Sequence, residues 1–166
     1  MHFGHNNIIK YCNRPYTNVE TMDDALVRNW NATVGPNDTV YHLGDWAFDN
    51  YERIGELRGR IISVPGNHDQ EREKKLLPFL ANGFTQEIHY VKIDRDRRFV
   101  LCHYPLEAWN RQYQYHLHGH THGQRSNPFN RLDVGIDATK LYRPIHLDEV
   151  LTTINTNNLL LKEKRT

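Results

Sequence analysis

Thr39-Val40-Tyr41-His42-Leu43-Gly44-Asp45 is followed by Ile61-Ile62-Ser63-Val64-Pro65-Gly66-Asn67-His68-Asp69. Each stretch is a short apolar run, rich in β-branched or aromatic residues, that ends in a glycine and then in polar side chains. Runs of this kind bounded by turn formers read as buried strands. Between them, residues 50–58 suit a helix, so the segment reads as a β-α-β unit with both polar loops at the carboxyl ends of its strands. In open α/β sheets ligand sites gather at that edge.

Outward from this unit the pattern stays mixed. Thr17-Asn18-Val19-Glu20 reads as a capping box. Val19, Met22, Leu26 and Trp30 then share one helical face, predicting a helix over 18–32. Residues 71–80 are helix-like, with Pro78 set to kink or end them. Residues 87–93 and 98–103 flank Asp94-Arg95-Asp96-Arg97 as a hairpin, and 113–118 and 132–136 are further strand candidates. Asp148 is the expected cap of a short final helix holding Val150, Leu151 and Ile154, and the tail from Lys162 is expected to fray. The expectation is one α/β domain over residues 1–166, with two sheets packed together and flanked by helices.

Composition excludes several classes. With 38% hydrophobic and 25% charged residues the chain is expected to be a soluble globular protein. Twenty-one basic against 20 acidic side chains, net +1, give no general pull toward nucleic acid or an anionic membrane. No apolar stretch approaches the ~18 residues needed to cross a bilayer. Cys12 and Cys102 form no disulfide framework, so a reducing, cytoplasmic setting is expected.

The densest group of ligand-type side chains is His116-Leu117-His118-Gly119-His120-Thr121-His122-Gly123. Imidazole is the commonest side-chain metal ligand, and flanking glycines let the backbone approach a bound group. A lone His-x-His also arises when a strand puts alternate residues on one face. Here it follows Gly44-Asp45, Gly66-Asn67-His68-Asp69 and Cys102-His103-Tyr104-Pro105, and the chain opens Met1-His2-Phe3-Gly4-His5.

In that order these motifs resemble the calcineurin-like metallophosphoesterase family. The likeness spans nearly the whole chain and rests on Gly44-Asp45, Gly66-Asn67-His68-Asp69, His103 and Gly119-His120-Thr121-His122. The stretches His2-Phe3-Gly4-His5 and Cys12-Asn13-Arg14-Pro15-Tyr16 resemble a small bacterial or phage-type branch. The resemblance implies a four-layer α/β/β/α sandwich and hydrolysis of a phosphomonoester or phosphodiester at two divalent metal ions. By that likeness His2 and His122 bind one ion, Asn67, His103 and His120 the other, and Asp45 bridges them. His68 is the implied general acid, with Asp69 a candidate to orient it. Two ions ~3.5–4 Å apart share a carboxylate and a water, whose pKa falls toward ~7. Mixed nitrogen and oxygen ligation fits Mn, Fe, Zn, Co or Ni, with Mn favoured, better than Mg or Ca. The implied substrate is a phosphorylated small molecule or a nucleotide; the balanced charge does not point to nucleic acid, and the oligomeric state is left open.

The chain departs from the family pattern at its start. That pattern opens with Asp-x-His at the end of the first strand; here His2 matches the histidine, Met1 takes the middle position, and the aspartate and its strand are absent. The expectation is a sandwich whose first strand is missing, with unpaired backbone and a gap in the core, and a first metal held by His2, Asp45 and His122. A natural product starting upstream is the expected explanation. The alternatives are a weakened first site, or an impaired relative that binds a phosphorylated ligand or partner without turnover. A separate alternative is a binding protein that uses His103, His120 and His122 for one structural zinc.

Other residues carry weaker readings. His5 is a substitute ligand or substrate contact, and Arg14 suits a phosphate oxygen because guanidinium forks match it. Trp109 and Tyr113 either stack on a base or sugar or pack in the core. Arg95, Arg97 and Arg98 read as a solvated turn. His42, His89, His116, His118 and His146 read as structural or surface residues, with His42 a candidate to lie behind Asp45. Asp133 and Asp137 read as salt-bridging or turn-capping groups, and Cys102 as a core thiol. Specificity is expected from loops around residues 5–16, 46–52 and 104–115.

Overall fold

The computed structural model describes residues 1–93 and 96–164. Helix α1 (Asn6–Tyr11) leads to α2 (Val19–Thr33), whose Met22, Leu26 and Trp30 are buried, as their shared face predicts. Its cap lies one residue later than expected. Asn18, not Thr17, accepts the Thr21 N–H at 2.9 Å, and the Thr21 hydroxyl faces the Asn18 N–H in return.

Strands β1 (Thr39–His42) and β2 (Arg60–Ser63) pair in parallel, Thr39 against Arg60 through His42 against Ser63. The crossover between them carries a 3-10 helix at Tyr51–Glu56 in place of the α-helix expected over 50–58. A short α3 (Asn67–Gln70) comes first, and the expected helix over 71–80 is broken into α4 (Glu73–Leu76) and a 3-10 turn at Leu77–Phe79 that contains Pro78. Proline has no N–H to continue an α-helix, which accounts for the last of these breaks.

The second sheet runs β3 (Ile88–Lys92), β4 (Arg98–Cys102), β5 (Tyr115–His118), β6 (Arg131–Asp133). β3 and β4 are the predicted antiparallel hairpin; β4–β5 and β5–β6 are parallel. Arg95 lies outside the described residues, Arg97 pairs with Asp148 at 3.7 Å, and the Arg98 N–H donates to Gln114. Ile136, expected to end a strand, instead starts α5 (Ile136–Thr139). The final helix α6 (Leu147–Glu163) is much longer than expected, and its cap is His146 rather than Asp148. The His146 ring accepts the Asp148 N–H, and the Glu149 carboxylate accepts the His146 N–H.

Alternation along the strands builds the layers. Val40 and Ile61 face the cluster of α2, Trp46 and Phe3, while Tyr41, Leu43 and Val64 face Phe99, Leu101, Leu117 and Leu132 of the second sheet. Val150 and Ile154 of α6 join that inner cluster. The result is a mixed α/β architecture of two facing sheets with helices around them. Among the described residues the first sheet holds β1 and β2 alone. β1 borders a cavity of about 640 Å³ lined in part by Trp30, Tyr41, Phe99, Leu117, Val134 and Val150. The first residues lie at its end, where Phe3 bridges Ala47 in parallel. No helix among the described residues is long and apolar enough to cross a membrane.

The α6 cap makes stability depend on pH. Hydrogen bonds from Arg143, then from the His146 N–H, lower the Glu149 pKa from 4.5 to about 2. A carboxylate depressed on folding stabilises the fold above its unfolded pKa, and that contribution fades as pH falls through the folded value. Glu149→Gln should therefore flatten the acid limb of the stability–pH curve between about 4.5 and 2, read by urea denaturation at stepped pH; an unchanged limb would discount the cap.

Candidate metal centre

The site forms where the loops after β1, β2, β4 and β5 meet the first residues of the chain. Its frame is the Asp69 carboxylate, which accepts the backbone N–H groups of Asp45 (2.8 Å), Trp46 (2.9 Å) and Gly66 (2.9 Å). This corrects the expected role of Asp69: its bonds join two loops and do not orient His68. The loops then touch so closely that glycine is required. A Cβ on Gly66 would lie 2.4 Å from Asp45 Oδ1, and one on Gly44, at φ +88°, 2.5 Å from Gly66 Cα.

Asp45 is thereby fixed on all sides. The His68 N–H donates to its Oδ1 at 3.1 Å, while its Oδ2 lies 3.5 Å from His2 Nε2 and 3.3 Å from His103 Nε2. His103 Nδ1–H donates to the Leu43 carbonyl at 2.7 Å, which directs Nε2 inward. That nitrogen also lies 2.9 Å from Asn67 Oδ1 and 3.1 Å from His120 Nδ1. A single proton on His103 Nε2 serves one of these neighbours, whereas a divalent cation serves all of them. The donor set fits a metal ion on this ground. Burial works to lower the His103 pKa, but the hydrogen bond and charge of Asp45 outweigh it and raise it. For Asp45 burial acts upward, and contact with His103 brings the net value down.

His2 and His122 make up the other side, their ring centroids 5.1 Å apart. His2 is buried, and desolvation holds its pKa well below the ordinary value, so the ring is neutral and able to ligate. His122 turns Nδ1 to Asp137 Oδ2 at 2.7 Å. The trio His103, His120 and His122 expected for a lone zinc is thus divided. Asp45, His103 and His120 place ligand atoms within 4.8 Å of one another, and His122 groups instead with Asp137 and Cys12. That second group is a poor metal site. Burial, then the charge of Asp137, push the Cys12 thiol up to about 11, and Arg14 already neutralises Asp137.

His2 (φ +68°), Asp45 (+58°), His120 (+63°) and His122 (+49°) all have left-handed backbone. For residues with a Cβ this costs on the order of 1–3 kcal/mol each and concentrates at functional sites.

Arg14 is a correction. Its side chain is fully buried and forks onto Asp137 at 2.8 and 2.9 Å, so it does not reach a phosphate. Its neighbour in the reading, His5, stacks on Phe48 with centroids 4.0 Å apart, at the rim of the site. Phe48 also meets His68 (4.6 Å) and carries the Arg72 guanidinium 4.4 Å above its ring. Tyr104 packs edge-on to His120 at 4.7 Å. Phe48, Arg72 and Tyr104 were missed as site residues, although Phe48 and Tyr104 fall in the loops expected to set specificity. His42 stacks flat on Trp46 at 3.5 Å, and its Nε2 lies 3.5 Å from the Met1 nitrogen, itself bonded to the Asp45 carbonyl. His116 and His118 are buried with ring nitrogens bonded to backbone carbonyls, and Asp133 accepts from Thr121, Gly123 and Gly135 as a turn cap. Trp109 bonds the Tyr113 carbonyl and packs on His116. Cys102 is a buried thiol.

The chain is similar to several known proteins. The family model for the calcineurin-like phosphoesterase superfamily domain matches residues 23–132. An uncharacterized protein of Methanocaldococcus jannaschii is 32% identical over 174 residues, covering 96% of this chain and 90% of its own length. The Gene 66 protein of Mycobacterium phage L5 is 25% identical over 93% of this chain and 91% of its own. A crystal structure of a protein of unknown function from Aquifex aeolicus shares the fold, with a TM-score of 0.71 at 22% identity, over 92% of this chain and 95% of that one.

Asp69→Ala would leave three buried N–H groups without an acceptor. The expected loss of stability is on the order of 3 kcal/mol or more, measured by urea denaturation. A loss below about 1 kcal/mol, within the range of ordinary surface changes, would contradict the clip.

Proposed function

Because the chain belongs to the calcineurin-like phosphoesterase superfamily, we propose that it hydrolyses a phosphomonoester or phosphodiester at a dinuclear metal site. The observation that carries this reading is the convergence of Asp45 Oδ2, Asn67 Oδ1 and His120 Nδ1 within 3.3 Å of His103 Nε2. Asn67, His103 and His120 would hold one ion, His2 and His122 the other, and Asp45 both. The mixed nitrogen and oxygen set suits Mn, Fe, Zn, Co or Ni better than magnesium, and manganese is the ion this proposal favours. When bound, such ions supply hydroxide near neutral pH and offset charge on the phosphoryl oxygens.

The protein's own part is positioning and proton transfer. His68 stands beside the Asp45 carboxylate, its N–H on Asp45 Oδ1 and its ring against Phe48. From there the imidazole would protonate the departing alkoxide. Arg72 is held over Phe48 and donates to the His68 carbonyl, and it would take the role expected of Arg14, a guanidinium that meets a phosphate oxygen. Phe48 and Tyr104 form aromatic walls suited to the organic part of a phosphorylated small molecule or nucleotide.

A generic aryl phosphodiester should be hydrolysed with Mn2+ added and not after chelation. His68→Asn should keep wild-type metal content while turnover falls about 10²–10⁴-fold, most for poor leaving groups; loss of metal would refute the acid role. One observation favours a second reading, an impaired relative that binds a phosphorylated ligand without turnover. Among the described residues, Asp45 is the one carboxylate that meets His2, at 3.5 Å, and Asp137 beside His122 is paired with Arg14. Phosphate binding with no hydrolysis under any divalent ion would support it.

A further inference from the structure

We propose that Arg14 and Asp137 form a positioning device that sets both histidines of the first half-site. The inference rests on His2 and His122 being ligands. The Asp137 carboxylate is buried and faces two partners: Arg14 Nε and Nη2 fork onto Oδ1 and Oδ2, and His122 Nδ1 meets Oδ2 at 2.7 Å. A carboxylate held by a guanidinium stays ionised and only accepts. The proton between Asp137 and His122 therefore belongs to Nδ1. In the neutral imidazole Nε2 is then bare, the form that binds metal.

The third arm of Arg14 reaches the other histidine. Its Nη1 donates to the Met1 carbonyl at 3.1 Å, the peptide group that leads into His2. One guanidinium thus holds the backbone entering His2 and the carboxylate behind His122. Residues distant in sequence are joined, because Arg14 lies on the loop after α1 and Asp137 in α5. Lysine, a single point charge, does not reproduce a three-arm attachment. The rigid link suits two ligands that both need left-handed backbone.

The test reads the His122 tautomer directly, by long-range 1H–15N correlation on the metal-free protein, with Mn2+ binding by equilibrium dialysis alongside. Wild-type His122 should be the Nδ1–H tautomer. In Asp137→Ala the Nδ1–H of His122 loses its acceptor, so the ring should shift toward Nε2–H. Mn2+ affinity of the first half-site should drop about 10–100-fold, with the site of Asn67, His103 and His120 retained. Arg14→Lys should weaken the same half-site with a smaller tautomer change. A wild-type His122 in the Nε2–H form overturns the proposal even if Asp137→Ala fails to fold. So does an Asp137→Ala protein with wild-type tautomer and metal binding. The tautomer needs no turnover: a protein that shows the shift but hydrolyses nothing supports the device and refutes the phosphoesterase reading.

Discussion

Three backbone N–H groups from two loops end on one buried carboxylate, Asp69, and the rest of the centre depends on that convergence. Without an acceptor the loops after β1 and β2 would bury unpaired donors at their closest approach. With it, Gly44 and Gly66 pack against each other, and Asp45 has one place to be. The Asp45 carbonyl then accepts from the first two residues of the chain, which brings His2 to the site. One buried carboxylate therefore sets the position of another.

The second sheet supplies the other half by a different device. β4 and β5 are adjacent and parallel, so the loops at their carboxyl ends emerge side by side. His103 is locked by the Leu43 carbonyl of the facing sheet. Thr121 and Gly123 are tied to Asp133 at the end of β6, which shapes the turn that carries His120 and His122. The sheets contribute apolar packing on their inner faces and the proposed ligands at one common edge, a division that keeps the packed core apart from the site.

Much of this was legible in the sequence where the signal is contiguous. Gly44-Asp45, Gly66-Asn67-His68-Asp69 and Gly119-His120-Thr121-His122 each combine a glycine that permits close approach with the side chains that use it. The hairpin and α2 were equally readable, since period and turn residues lie within a few positions of each other. What was not legible depends on partners distant in the chain. Arg14 was read as a phosphate grip because an arginine beside a loop motif looks the same whether it faces solvent or a carboxylate; its partner Asp137 is 123 positions away. Asp69 was read by adjacency to His68, while its real contacts run to Trp46 and Asp45. The length of α6 was missed because its polar and apolar residues mix along Thr152 to Asn158, and burial of Val150 and Ile154 against the sheets, not propensity, holds it.

The left-handed backbone at His2, Asp45, His120 and His122 sets stability and chemistry against each other. At each of these positions glycine would relieve the conformational strain and remove a proposed metal ligand in the same step. Laboratory evolution guided by thermal tolerance alone would drift toward such replacements and lose the centre. Only selection on what the site does retains four side chains that the empty fold would be more stable without.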